Sequence, residues 1–266
     1  MSDTLRITLL QTDIEWENKA ANLCRLRKHL ENLCGKTDVV VLPETFSTGF
    51  SMHPETLAEP LQGEVITSAK QWANLYGVAL AGSLITFADA SGTRYVNRAF
   101  FLTPDGDEHY YDKRHLFRMG DENRHFTAGT SRPIIHYKGW NILLLVCYDL
   151  RFPVWSRNVD NEYDLLIYVA NWPTARRKVW DILLQARALE NQSYVCGVNR
   201  TGTDGDRILH NGGSRIYSYK GEMLASVPDE EEGTATASLN LGALQNFRKK
   251  FPAWMDADHF EWKDFP

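Results

Sequence analysis

The sequence predicts an α/β fold, and three observations carry that prediction. Apolar runs of strand length alternate with amphipathic segments of helix length. The alternation occurs in both halves of the 266 residues. No linker or shift in composition divides the chain, so the expectation is one domain, 1–266, ending in a tail from about 251. With 43% hydrophobic and 24% charged residues, the composition suits a folded chain with a sizeable core and no need of staples.

The elements follow in order. Residues 5–11 read as a buried strand, and residues 17–34 as a helix with Leu23, Leu26, Leu30 and Leu33 on one stripe. Residues 38–42 are an apolar run ended by Pro43, which suits a strand covered on both faces. Glu64–Tyr76 is a second helix, stopped by Gly77, and residues 78–85 form a strand. Tyr95–Leu102 and residues 108–113 flank Pro104-Asp105-Gly106-Asp107, the turn chemistry of a hairpin. Residues 133–137 and 140–146 are strands around Lys138-Gly139. Pro153 opens a short helix over 153–159, and residues 164–170 are the next strand. Residues 175–190 are a helix whose inner stripe is expected at Val179, Ile182, Leu183, Ala186 and Leu189. Residues 194–198, 214–219, 221–226 and 234–239 are strand candidates, and a last helix begins near Leu241.

Charge excludes some functions. Lys and Arg number 29 against 34 Asp and Glu, a net of -5, so no phosphate-neutralising excess points to nucleic acid. The basic runs Arg176-Arg177-Lys178 and Arg248-Lys249-Lys250 read as solvated helix faces. No stretch reaches the roughly 18 apolar residues that span a bilayer. The acidic start, Met1-Ser2-Asp3-Thr4, lacks a signal peptide's basic flank and apolar core, so a cytoplasmic location with reduced thiols is expected. Cys24, Cys34, Cys147 and Cys196 are irregularly spaced, without a CxxC or Cys/His cluster, so neither zinc nor disulfides are suggested and no cofactor is called for.

Position then singles out residues for chemistry. Glu44 follows the apolar strand ending at Leu42-Pro43, and Cys147 follows Ile142-Leu143-Leu144-Leu145-Val146. Ligands of open α/β sheets gather at the carboxyl ends of strands. Lys113 ends the strand over 108–113 and opens a loop of polar and aromatic residues. Taken singly, Cys147 reads as a small buried hydrophobe, Glu44 as a helix N-cap neighbour or a surface charge, and Lys113 as a solvated loop residue. Cys196 lies inside a strand without polar neighbours, and Cys24 and Cys34 fall on the first helix.

Together these segments say more. Leu42-Pro43-Glu44-Thr45-Phe46, Tyr111-Asp112-Lys113-Arg114-His115-Leu116-Phe117 and Cys147-Tyr148-Asp149-Leu150-Arg151-Phe152-Pro153 resemble the carbon-nitrogen hydrolase (nitrilase) superfamily. The resemblance runs from Leu5 to about Phe251 and implies a four-layer α-β-β-α sandwich with a Glu-Lys-Cys triad. The segments at 113–117, 147–153 and Arg248-Lys249-Lys250-Phe251-Pro252 narrow it to the ω-amidase branch, which acts on 2-oxoglutaramate.

The resemblance implies roles. Cys147 is the nucleophile, Glu44 the general base, and Lys113 with the backbone N–H of Tyr148 the oxyanion stabiliser. A carboxylate is a weak base unless burial strengthens it, so a dry pocket is expected around Glu44. Glu122 is the match for a second glutamate that orients Lys113 or the substrate, with Asp121 the competing choice and a solvated acidic loop open to both. Trp172 either walls the cavity or packs the core, and Arg151 either grips a substrate carboxylate or serves a structural salt bridge. Arg118 and Arg124 are rival carboxylate binders, and Phe117, Met119 and Phe126 are candidates for an apolar wall. Expected partners are a small amide substrate and a second copy of the chain, the family being usually dimeric, with neither nucleic acid nor membrane. Within the superfamily an aliphatic amidase, an N-carbamoyl hydrolase or a nitrilase is the alternative; outside it, a non-catalytic binding protein on the same fold.

Overall fold

Val39, Val40 and Val41 set the layers. In the computed structural model, which describes residues 3–258 and 260, Val39 and Val41 pack into the core between two sheets. Val40 points the other way, beneath helices, because successive strand side chains face opposite sides. One short strand therefore feeds two apolar layers, and its unbroken run of valines follows.

The first sheet holds β1 (Thr4–Gln11), β2 (Val39–Val41), β3 (Ala79–Phe87), β4 (Tyr95–Leu102), β5 (Glu108–Asp112) and β14 (Gly233–Asn240) in the order β14-β1-β2-β3-β4-β5. Its centre, β1-β2-β3, is parallel and its flanks are antiparallel. Helices α1 (Lys19–Leu33) and α3 (Glu64–Tyr76) cover its outer face with Leu23, Leu26, Leu30, Val65, Ile66 and Ala69. Asn18 caps α1 by accepting from Ala21 N at 3.1 Å, and Gly77 ends α3 in the left-handed conformation.

The second sheet repeats the plan. It holds β6 (Ile134–Tyr137), β7 (Trp140–Val146), β8 (Leu165–Ala170), β9 (Tyr194–Asn199), β12 (Arg215–Tyr217) and β13 (Met223–Ser226) in the order β13-β12-β9-β8-β7-β6. Strands β7, β8 and β9 are parallel. Helix α5 (Arg177–Glu190) covers this sheet, and α6 (Leu241–Lys250) seats Leu244 in the same cluster. The result is the four-layer α-β-β-α sandwich, with β1 lying over β9 and β4 over β7. A small hairpin of β10 (Thr201–Thr203) and β11 (Leu209–Asn211) stands apart from both sheets. Two short helices, α2 (Pro54–Leu57) and α4 (Glu122–His125), lie in the loops.

Some expectations fail. The inner stripe of α5 is Trp180, Leu184, Arg187 and Ala188; Ile182 and Leu189 are exposed, and Val179, Leu183 and Ala186 are half-buried. The face is turned by Trp180, whose indole N–H donates to Gly213 O at 2.9 Å, and by Leu184, both seated over Gly197 of β9. Residues 153–159 form turns rather than a helix. There Asn158 spends its side chain on Tyr163 and Asn191 backbone groups, and Asp160 and Asn161 adopt positive φ, which offers the chain an alternative to helix. Neither basic run is simply solvated. Arg177 pairs with Asp181 and Asp229, and Arg248 is buried against Asp164 at 2.8 Å. Among the described residues no helix is long and apolar enough to cross a membrane.

Candidate active site

The first sheet delivers two residues to one spot. Glu44 follows β2 by three positions and is fully buried. Thr45, next to it, has a φ of 43°, costly for a β-branched residue. The turn is held because Thr45 N donates to Ser83 Oγ at 2.8 Å and Thr45 O accepts from Gly49 N at 2.8 Å. Lys113 follows β5, its N–H donating to Asn97 O on neighbouring β4 at 2.9 Å. Its ammonium donates to Glu44 Oε1 at 2.8 Å and to Glu122 Oε1 at 2.9 Å, and lies 5.0 Å from the centre of the Phe50 ring. Asn97 Nδ2 donates to Glu44 Oε1 at 2.8 Å and reaches Glu122 Oε1 at 3.5 Å.

The second sheet delivers the thiol. Cys147 opens a 3-10 turn at the end of β7 with a φ of 44°, a strained junction that lifts its side chain off the strand. Asp149 secures that turn: it is fully buried, and its Oδ2 accepts from Val146 N at 3.0 Å and from Tyr111 Oη at 2.8 Å. Its Oδ1 accepts from His115 N at 3.0 Å, so one carboxylate ties the Cys147 turn to the loop after Lys113. Asn171, at the end of β8, joins the sheets: its backbone N–H donates to Glu44 Oε2 at 2.9 Å and its side chain to Glu44 O at 2.5 Å. The thiol of Cys147 contacts Asn171 O at 3.9 Å.

The electrostatics follow from burial. Desolvation pushes the Cys147 thiol well above its usual range, and the Glu44 charge pushes it further. The Lys113 charge lowers it but is outweighed, so the resting group is a thiol. Burial alone would lower the Lys113 pKa; the carboxylates of Glu122 and Glu44 reverse that and keep it protonated. Burial raises Glu122, Lys113 pulls it down, and the Glu44 charge adds to the rise.

A cavity of about 190 Å³ opens onto these groups and is lined by Glu44, Lys113, Cys147, Tyr148, Asn171 and Trp172, among others. Trp172 is buried and also lines the cavity. Arg151 lines the cavity too; its guanidinium lies 5.4 Å from the Trp172 ring centre, and among the described residues it forms no ion pair. Phe117 packs edge-on against Tyr148 with centroids 5.1 Å apart, and Met119 sits at the rim. Phe126 does not reach the cavity and packs instead with Leu57 and Ile85. Arg124 is exposed and pairs with Asp121 at 3.3 Å, and Arg118 is exposed outside the cavity. Glu122 turns inward while Asp121 faces solvent. Sequence reading missed Asn97 and Asp149, and it missed Arg176, Asp204 and His210, which also line the cavity. No group of three or more His, Cys, Asp or Glu suited to a metal occurs among the described residues.

Two sheets thus bring a buried carboxylate, an ammonium and a thiol together in the lining of a small cavity. The chain belongs to the carbon-nitrogen hydrolase family, whose model matches residues 6–249. It is 48% identical to the ω-amidase YafV of Escherichia coli (strain K12) over 257 residues, 96% of this chain and 98% of that protein. It is 32% identical to the 2-oxoglutaramate amidase of Bacillus subtilis (strain 168), with 94% and 96% of the two chains covered. A solved carbon-nitrogen hydrolase superfamily protein from Xanthomonas campestris superposes with a TM-score of 0.94 at 39% identity, over 98% of this chain and 99% of that one.

Proposed function

We propose that this chain is an ω-amidase that hydrolyses the terminal amide of 2-oxoglutaramate and similar small dicarboxylate monoamides to the acid and ammonia. The observation that carries the reading is the meeting of Glu44, Lys113 and Cys147 at one cavity. The names borne by its relatives supply the substrate class.

Cys147 is the nucleophile in this reading. Because its resting thiol is protonated, attack is coupled to proton transfer to Glu44, without a preformed thiolate. The new C–S bond gives a tetrahedral oxyanion, stabilised by the Lys113 ammonium and the backbone N–H of Tyr148. Glu44 returns the proton to the amide nitrogen, the C–N bond breaks and ammonia leaves a thioester. Glu44 then takes a proton from water as the oxygen attacks the thioester carbon. The C–S bond breaks and the proton returns to sulfur. Glu122 holds Lys113 in place, Trp172 and Phe117 wall the acyl chain, and Arg151 receives the substrate carboxylate.

Ammonia release from 2-oxoglutaramate, succinamate, glutamine, an N-carbamoyl amino acid and a simple nitrile tests the assignment. Highest efficiency on 2-oxoglutaramate or succinamate is expected; highest efficiency on the nitrile or the carbamoyl compound overturns it. Cys147→Ala abolishes turnover, and intact-mass measurement finds an acyl adduct on the unsubstituted protein alone. A cytoplasmic location belongs to the same reading, since the nucleophile must stay reduced. So does a homodimer, which the exposed Ile182 and Leu189 of α5 and Phe251 and Met255 near the end of the chain support. Sedimentation at about twice the chain mass of 30.4 kDa is the expected result.

A further inference from the structure

We propose that Arg176 is a specificity-determining residue that, with Arg151, grips the free carboxylate of the substrate. This rests on the ω-amidase reading and adds a second cation that sequence reading assigned to a solvated face.

Adjacent arginines behave differently here. Arg177 donates to Asp181 Oδ1 at 2.8 Å, to Asp229 Oδ1 at 2.8 Å and to Asn211, so its charge is answered within the protein. Arg176 lines the cavity and, among the described residues, forms no ion pair. Its guanidinium carbon lies 4.8 Å from the centre of the Phe117 ring, much as Arg151 lies over Trp172. The two arginines share one support: Trp172 faces Arg151 and its indole N–H donates to Arg176 O at 2.9 Å.

The other cavity groups leave this position for the carboxylate. The Lys113 ammonium is taken up by Glu44 and Glu122. His210 is buried and held neutral, its pKa pushed down to about 3 by burial and by the Arg200 charge. Asp204 and Asp206 also line the cavity and repel an anion from their side. Guanidinium groups laid on aromatic faces are weakly hydrated and hold their planar donors ready for two carboxylate oxygens. The ligand chemistry is a short aliphatic amide with a carboxylate at its far end, and a neutral amide of equal length forgoes the contact.

The test compares Arg176→Ala and Arg176→Lys with the unsubstituted enzyme on succinamate and on butyramide, a neutral amide of the same chain length. The ratio of kcat/KM for succinamate over butyramide falls about 10- to 100-fold in Arg176→Ala, the worth of a charged hydrogen bond, through KM. Arg176→Lys restores part of it. Succinate as a competitive inhibitor gives a readout without turnover, and its Ki rises by a similar factor. An unchanged ratio with an unchanged Ki overturns the proposal, because a structural role would depress both substrates alike. An unsubstituted enzyme that prefers butyramide overturns the ω-amidase reading instead, while the succinate Ki still reports on Arg176.

Discussion

Lys113 stands between two buried carboxylates, and this charge arithmetic separates catalytic from structural effects. Glu44→Gln removes the proposed base and is expected to cost at least about 100-fold in kcat. It also relieves the repulsion between Glu44 and Glu122 while losing the acceptor for Asn171 N, so stability changes by no more than about 1 kcal/mol. Lys113→Met does the opposite, leaving two carboxylates uncompensated and destabilising the fold by roughly 3–5 kcal/mol. Its pH dependence has a definite sign. Glu122 is already raised by burial and by the Glu44 charge, and without Lys113 it rises further. A carboxyl raised in the folded state favours folding below its unfolded pKa and loses that contribution as pH rises through the folded value. Urea unfolding of Lys113→Met therefore shows falling stability from acid to neutral pH, relative to the parent. Stability that is flat or rising relative to the parent over that range contradicts the arithmetic. At this scale the sequence is legible where a polar residue ends an apolar strand, as at Glu44 and Cys147. It is opaque at Asn97, which sits inside β4 and donates its side chain to Glu44, 53 positions earlier, and at Asp149, whose partners Tyr111, in β5, and His115, in the loop after it, come from the other sheet's half of the chain.

Among elements, periodicity locates helices better than it orients them. The span of α5 is close to that expected, yet its buried face is not the stripe of aliphatic residues. The reason lies across the interface, in Gly197 of β9. A Cβ built there comes 2.4 Å from Leu184 Cδ1 and 2.8 Å from Trp180 Cζ2, so α5 docks by filling the space a side chain would occupy. No pattern within α5 encodes that gap. Gly197→Ala should destabilise the protein by roughly 1–3 kcal/mol through overpacking. Urea denaturation measures it, and a variant as stable as the parent shows that α5 can shift at no cost. Strands read more faithfully, because a buried strand declares itself by composition alone. The short hairpin β10–β11 escapes detection for the converse reason: residues 201–211 are polar and glycine-bearing, and their pairing follows from enclosing the cavity that His210 lines.

For the whole molecule, the two sheets are fastened at both ends, by different means. The carboxyl ends of β2 and β7 carry the proposed chemistry, and on that reading their contacts across the sandwich, through Asn171 and Asp149, are constrained by function. The opposite ends are free of that constraint. There Asp38, just before β2, accepts from Arg6 N at 2.8 Å and from Lys138 Nζ at 2.7 Å, and Lys138 belongs to the turn between β6 and β7 of the other sheet. Burial alone would raise the Asp38 carboxyl; hydrogen bonds from Arg6 and Lys138 outweigh it and bring the pKa from 3.8 to about 2. A carboxyl lowered by folding contributes stability above its unfolded pKa and loses it as pH falls toward the folded one. The contribution is thus complete at neutral pH, declines below about pH 4 and is gone near pH 2. Its partners are partly exposed, so solvent screening holds it to the order of 1 kcal/mol. Asp38→Asn should lower the urea midpoint at pH 7, and by progressively less as the pH is lowered toward 3. Added salt should shrink the difference further. A deficit that is constant across this pH range would show that Asp38 acts through packing or hydrogen bonding alone, and that charge does not fasten this end of the sandwich.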